Sequence, residues 1–229
     1  MVEYLLLGSG SKGNAIIYEK SILVDCGISY KLLQGNIDNV SVILLSHYHL
    51  DHYKSTVLKR LASDLPNVAI LCGIWFKPLL DDLKMPSTVK IVYCEPSKWY
   101  KIGNMMFCGV NLFHDVHNFG WRIIVNGQKI FHATDTVKLD GITAYNQDLI
   151  ALEAHHRTDV IDKQIEDKLN AGVYCYEVGA KNSHLSEEDA DKWIAENRSE
   201  HTQILKLHYS SCYELVDGHL KLKENDEQI

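Results

Sequence analysis

The sequence predicts an α/β fold in which two mixed β-sheets pack face to face and carry helices on their outer sides. Short apolar or alternating runs rich in Val, Ile and Tyr recur along the chain, as is typical of strands. Two blocks of such runs are each followed by helical patterns, which favours two sheets with helices outside. The length of 229 residues fits one domain of this kind, so we expect a single domain over 1–229.

The apolar patterns place the individual elements. The predicted strands are residues 2–7, 15–18, 22–25, 42–45, 68–72, 89–93, 105–113, 121–125, 129–132, 149–152 and 203–207. The predicted helices are residues 54–63, 74–83, 159–170 and 187–197, and Pro78 is expected to interrupt the second of them. Asn126-Gly127 between two strands predicts a tight hairpin, because both positions tolerate positive φ. Ser186, with Asp189 three residues later, predicts the N-terminal cap of the last helix.

Charge and composition narrow the classes of function. A formal net charge of -7 provides no general basic field for a long polyanion, so small or short substrates are favoured. The longest apolar runs are strand-sized, far below the roughly 20 residues needed to cross a bilayer, so no membrane association is expected. The six cysteines form no C-x-x-C pair and the N-terminus has no signal-peptide pattern. These features predict a cytoplasmic protein with reduced thiols.

The densest group of metal-ligating residue types is the segment 46–52, Ser-His-Tyr-His-Leu-Asp-His. It follows a predicted strand and precedes a predicted helix, where open sheets build their sites. His47 and His49, two apart in extended chain, point the same way, while Asp51 and His52 after the turn can reach a second ion. One short loop would then supply ligands to two metals. The alternative is a hydrophilic surface loop that happens to hold three histidines.

The pattern H-x-H-x-D-H resembles the signature of the metallo-β-lactamase superfamily, and the resemblance extends over nearly the whole chain. It implies an αββα sandwich and a lone His, a bridging Asp and a terminal His, in that order, each at a strand end. The candidates are His114, Asp135 and His208. His117 competes with His114 for the lone position, but it lies in the looser stretch 116–120.

The resemblance also implies how these ligands are shared between two ions. Asp135 and a hydroxide would bridge the pair. The ligands implied for one zinc are His47, His49 and His114, and those for the other are Asp51, His52 and His208. The expected cofactors are two Zn²⁺, with Mn²⁺ or iron able to use the same donors.

A glycine-rich loop, Gly8-Ser9-Gly10-Ser11-Lys12-Gly13, follows the first predicted strand. It formally matches a dinucleotide-binding fingerprint, but that site needs a helix next, and residues 15–18 have a strand pattern. No Gly-Lys-Ser/Thr closes a Walker A loop either. The loop is similar to that of small bacterial and phage members of the superfamily, including WalJ-like nucleases, where it lies beside the metals. The resemblance likewise implies that Asp25 orients a ligand histidine.

Two further segments distinguish branches of the superfamily. Glu153 follows the predicted strand 149–152, and His184 stands two residues before the cap Ser186. In the tRNase Z endonucleases, a Glu-Ala-Thr and a His-Ser-Thr in this order form a Glu–His pair that serves the leaving group. The chain is similar, although His155 replaces the Thr.

The resemblance therefore implies a catalytic set of His184, Glu153 and Asp51. His184 would protonate the leaving oxygen and Glu153 would orient it. The alternative for His184 is a surface histidine near a helix cap. His155 and His156 receive no role.

These features predict a dinuclear-zinc phosphodiesterase that hydrolyses nucleotides or short nucleic acids through a metal-bridging hydroxide. Cyclic nucleotides are included, because the chain also resembles phage anti-Pycsar enzymes. The interval between Asp135 and His208, 208 − 135 = 73 residues, is too short for the extra domain of the β-CASP nucleases. A homodimer is expected. An ester, thioester or lactone hydrolase on the same metals, and a non-hydrolytic or redox metal-binding module, are the alternatives.

Overall fold

The first sheet of the computed structural model, which describes residues 1–223, has six strands. They are β1 (Tyr4–Gly8), β2 (Ala15–Tyr18), β3 (Ile22–Val24), β4 (Val42–Leu44), β5 (Ala69–Gly73) and β6 (Lys90–Cys94). The strands lie side by side in chain order, antiparallel from β1 to β3 and parallel from β3 to β6. Residues 224–229 lie outside the described residues, and a single domain over 1–229 stays a prediction.

The second sheet also has six strands, in the order β12-β11-β10-β9-β8-β7. They are β7 (Trp99–Ile102), β8 (Met105–Asn111), β9 (Phe119–Val125), β10 (Gln128–Ala133), β11 (Leu149–Glu153) and β12 (Gln203–Leu207). The strands from β7 to β10 pair antiparallel, and those from β10 to β12 pair parallel. A separate hairpin consists of β13 (Tyr213–Val216) and β14 (His219–Leu222).

Helices cover the outer faces of both sheets. They are α1 (Tyr30–Leu33), α2 (Ser55–Asp64), α3 (Lys77–Asp81), α4 (Thr158–Asn170), α5 (Glu177–Ser183) and α6 (Glu187–Asn197). No helix in the described part of the chain is both long and apolar enough to span a membrane.

Successive side chains along a strand face opposite sides of the sheet, so each strand contributes to two apolar layers. On β2, Ile16 packs between the two sheets, whereas the next residue, Ile17, packs towards α1 and α2. On β4, Val42 likewise packs between the two sheets, and Ile43 packs towards the helices. Trp193 of α6 packs on the outer face of the second sheet. Both faces of the central strands are therefore apolar, as parallel strands require, and the predicted sandwich of two mixed sheets flanked by helices is confirmed.

The local signals for turns and caps are confirmed as well. Asn126 and Gly127 adopt φ of 51° and 77° between β9 and β10, the mirror-image turn that suits the strand twist. The Ser186 Oγ accepts a hydrogen bond of 3.1 Å from the Asp189 N–H at the start of α6.

The predicted helix 74–83 is wrong in part. The structure has a 3-10 turn at Ile74–Phe76, and α3 ends at Asp81. Pro78 lies in the first turn of α3, where its missing N–H costs nothing, instead of interrupting a longer helix. The sequence patterns also missed α1, α5, β7 and the two strands β13 and β14, each of which has seven residues or fewer.

Candidate metal centre

All seven predicted ligands lie beyond the ends of strands and meet in one place. The segment 47–52 follows β4, and the others are His114 after β8, Asp135 after β10 and His208 after β12. Asp135 and His208 adopt φ of 58° and 52°, so the chain turns sharply as each strand ends. Asp takes this left-handed conformation more readily than most residues. The sharp turns keep these two side chains at the strand ends.

Four of the seven form a first quartet, whose ligand atoms all lie within 4.8 Å of one another. Its members are His47, His49, His114 and Asp135. The Asp135 Oδ2 lies 3.5 Å from His47 Nε2 and 3.7 Å from His114 Nε2. The His49 Nδ1 lies 3.3 Å from His114 Nε2.

The second quartet shares Asp135 with the first. Its members are Asp51, His52, Asp135 and His208. The other Asp135 oxygen, Oδ1, lies 3.2 Å from His52 Nε2 and 3.4 Å from His208 Nε2. The Asp51 Oδ2 lies 3.4 Å from His208 Nε2. The two oxygens of one buried carboxylate thus face two different groups of donors.

Two of the buried donor atoms have no hydrogen-bond partner among the described residues, which suits metal ligands. Buried His47 Nε2 and Asp135 Oδ1 make no hydrogen bond within residues 1–223. Ligands at about 2.0–2.2 Å from a tetrahedral ion are separated by about 3.3–3.6 Å. The N···O separations in the two quartets, 3.2–3.7 Å, agree with that spacing. Imidazoles mixed with carboxylates suit Zn²⁺, and also Mn²⁺ or iron.

Other residues fix which nitrogen of each ring faces the centre. The Asp25 Oδ2 lies 2.7 Å from His52 Nδ1, and the Ser183 carbonyl oxygen lies 3.1 Å from His114 Nδ1. Since these oxygens can only accept, each Nδ1 donates, and in the neutral ring each Nε2 keeps its lone pair. Burial alone would lower the pKa of His52, but the Asp135 and Asp25 carboxylates outweigh it and raise that pKa, so a bound ion would have to replace a proton on His52 Nε2.

Ser46 is a supporting residue that the sequence analysis missed. Its N–H and hydroxyl donate to the two oxygens of Asp25 at 2.8 and 2.7 Å, and its Oγ lies 3.0 Å from His47 Nδ1. The sequence signal for this role was the position of Ser46 directly before His47, because a polar side chain that is buried there needs a hydrogen-bond partner. Ser46 therefore joins Asp25 to the ligand loop.

The glycine-rich loop lies beside the second quartet. The Ser9 Oγ accepts a hydrogen bond of 2.6 Å from the His208 N–H. The Asn14 side-chain nitrogen lies 2.8 Å from His52 Nε2 and 3.3 Å from Asp51 Oδ2. Because β2 follows this loop instead of a helix, the rejection of dinucleotide binding agrees with the structure.

Glu153 and His184 meet next to Asp135. The Glu153 Oε1 lies 2.6 Å from His184 Nδ1 and 3.1 Å from His208 Nδ1. Its Oε2 accepts hydrogen bonds from the backbone N–H groups of Thr136 (2.8 Å) and Leu185 (3.3 Å). Glu153 therefore links the predicted acid to a predicted ligand, a connection that the sequence did not reveal.

The two partners stabilise each other's charged forms. Burial would raise the pKa of Glu153, but His184 and His208 outweigh it and lower that pKa to about 2. Burial would lower the pKa of His184, but Glu153 outweighs it and raises that pKa. The His184 side chain is 15% exposed, so its charged imidazole remains accessible to solvent.

The remaining histidines occupy different surroundings. The His155 ring stacks on His184 with centroids 4.3 Å apart and planes 13° apart, and burial lowers the pKa of His155 to about 3. His156 forms a backbone bridge with Ser186. His117 stacks on Trp75 and belongs to neither quartet, whereas His114 belongs to the first.

Gly27 provides a test of how tightly the ligand loop is held. A Cβ on Gly27 would lie 1.7 Å from the Asp51 carbonyl oxygen, so the loop must move in Gly27→Ala. We expect a loss of about 1–3 kcal/mol in stability and weaker binding of one metal, measured by thermal unfolding and metal analysis. Gly179→Ala in α5, where a Cβ meets nothing within 4 Å, is the control. Two tightly bound metals and an unchanged Tm in Gly27→Ala would contradict the expected displacement.

Comparison with known proteins identifies the family. Residues 20–208 match the family described as a beta-lactamase superfamily domain. The chain belongs to this superfamily. Its fold is similar to the crystal structure of the metallo-beta-lactamase fold protein YhfI from Bacillus subtilis, with a TM-score of 0.71 at 16% identity, covering 91% of this chain and 86% of that chain. Human tRNase Z, short form, gives a TM-score of 0.65 at 16% identity, covering 92% of this chain and 93% of that chain.

One curated relative matches in sequence over a shorter stretch. Exodeoxyribonuclease YycJ of Bacillus anthracis is 37% identical over 75 residues, which cover 28% of this chain and 28% of that protein. The match thus spans just over a quarter of the relative's length. The structural likenesses show the metallo-β-lactamase fold, so the fold implied by the H-x-H-x-D-H pattern is confirmed.

Proposed function

We propose that the chain is a dinuclear-zinc phosphodiesterase that hydrolyses nucleotide or nucleic-acid phosphodiesters, with cyclic nucleotides or short single strands as substrates. The observation that carries the proposal is the Glu153–His184 pair, at 2.6 Å, beside the two quartets. A phosphodiester with an alkoxide leaving group needs a proton on that oxygen, which a histidine can donate. The names of two similar proteins, an exodeoxyribonuclease and a tRNase Z, support the same class of substrate.

The proposal gives each part of the site a task. One ion would be held by His47, His49 and His114, and the other by Asp51, His52 and His208. Asp135 would be a ligand of both ions. Bound divalent cations would supply positive charge to the phosphoryl oxygens and a water of lowered pKa. His184 Nδ1 faces Glu153, so its Nε2 is the atom that would donate the proton. Ionised Glu153 would stabilise the charged imidazole until the transfer.

We also propose a short substrate, a cytoplasmic location and a dimeric assembly for this protein. The net charge of -7 favours short substrates over long polyanions. The buried thiols of Cys26, Cys72, Cys94 and Cys108 are free, which suits a reducing cytoplasm. We include a homodimer, which light scattering would test.

A hydrolysis panel tests the reaction class. Cyclic nucleotides, single-stranded DNA, RNA and lactones would be offered to the protein with and without a chelator. We expect phosphodiester hydrolysis that falls at least about a hundredfold on chelation and returns with Zn²⁺, because the charge and the activated water come from the metals. Faster opening of lactones than of any phosphodiester would instead indicate an ester or lactone hydrolase on the same site.

A further inference from the structure

Asp115 lies against the first quartet. Its Oδ1 lies 3.0 Å from His114 Nε2 and 3.6 Å from His49 Nε2. The side chain is 61% exposed, whereas the His114 side chain is 2% exposed. Asp115 therefore borders the solvent side of the quartet.

A simple hydrogen bond does not explain the short distance to His114. His114 Nδ1 lies 3.1 Å from the Ser183 carbonyl oxygen, which can only accept, so Nδ1 carries the proton in the neutral ring. Nε2 then presents a lone pair to the Asp115 carboxylate at 3.0 Å. Two lone-pair donors at this separation repel each other unless a cation lies between them. The distance to His49, 3.6 Å, is too long for a hydrogen bond.

We propose that Asp115 is an additional ligand of the first metal, on its solvent-facing side. The assignment rests on the proposed function, because it takes the first quartet as a metal site. It changes the donor set from three imidazoles and Asp135 to three imidazoles and two carboxylates. A fifth, carboxylate donor favours an ion of higher coordination number and raises the affinity for Mn²⁺, since carboxylates suit that ion.

Cobalt binding tests the assignment without any substrate. Metal-stripped wild type and Asp115→Asn would be titrated with Co²⁺ by calorimetry, with visible absorption recorded. We expect two ions in both proteins, with one site at least about tenfold weaker in Asp115→Asn, the size of loss seen even for residues that only support a ligand. Visible absorption per Co²⁺ should rise in the variant, because four-coordinate Co²⁺ absorbs more strongly than five-coordinate Co²⁺.

A matched control removes the same charge elsewhere. Asp140 is 73% exposed and pairs with Lys138 at 2.9 Å, so Asp140→Asn should bind Co²⁺ as wild type does. Unchanged affinity and absorption in Asp115→Asn would overturn the assignment. A loss that appears only at low salt, without a change in absorption, would also overturn it, because it indicates charge acting through space. Binding of fewer than two ions by wild type would instead contradict the proposed dinuclear site itself.

Discussion

Asp135→Ala is expected to empty the metal centre, reducing two bound ions per chain to one or none. Asp135 is the one residue that belongs to both quartets, and its two oxygens face different donors. Removal also leaves His47 and His52 without the carboxylate between them. Native mass spectrometry would count the ions. Ions bound only by the folded chain stabilise it by about 4 kcal/mol at a thousandfold excess over Kd, so the variant should also lose the chelator-sensitive part of its Tm.

Asp135→Asn separates the loss of a ligand from backbone strain. Asp135 adopts a φ of 58°, a conformation that Asn accepts and Ala resists. The Asn variant should therefore fold like wild type in the presence of chelator and still fail to hold the pair, because its amide nitrogen is no ligand. Two ions bound with unchanged affinity in both variants would show that Asp135 is not the bridge.

His184→Ala is expected to retain both metals and to lose about 10²–10⁴-fold in turnover of phosphodiesters with alkoxide leaving groups, the range of a general acid. His184 lies outside the set of seven ligands, and its Nδ1 is bound to Glu153. Bis(p-nitrophenyl) phosphate has a good leaving group that needs little protonation, so its hydrolysis should fall much less. The ratio of kcat/KM for the two kinds of ester measures the effect.

His117→Ala serves as the control for replacing a histidine near the centre. His117 stacks on Trp75 with ring centroids 5.3 Å apart and belongs to neither quartet, so both esters should be hydrolysed at the wild-type rate. Equal losses on both esters in His184→Ala, or loss of a metal, would remove His184 from the acid role.

Glu153→Gln is expected to affect the second metal site as well as the acid His184. Glu153 Oε1 contacts His208 Nδ1 as well as His184 Nδ1, and the carboxylate is fully buried. The Gln variant should therefore share the leaving-group selectivity of His184→Ala and also weaken the second metal site. Its metal content must be measured beside its rates.

The sequence alone determined the features that depend on neighbours along the chain. The strand layers follow from alternation, as in Ile16 and Ile17, and the hairpin follows from the φ that Asn126 and Gly127 permit. The segment 46–52 could be interpreted as a metal loop because its donors lie within a few residues. The superfamily resemblance then selected the other ligands, and whether all seven bind metal stays a prediction.

Only the tertiary structure decided which side chains far apart in the sequence contact one another. Glu153 contacts His184 and His208, 31 and 55 residues away, because β11 and β12 pair in parallel and α5 ends beside them. Asp115 stands next to His114 in sequence, yet only the packing of its loop against His49 brings it to the quartet. Periodicity specifies which face a residue occupies, but sheet packing and sharp turns at strand ends set the distances across the centre.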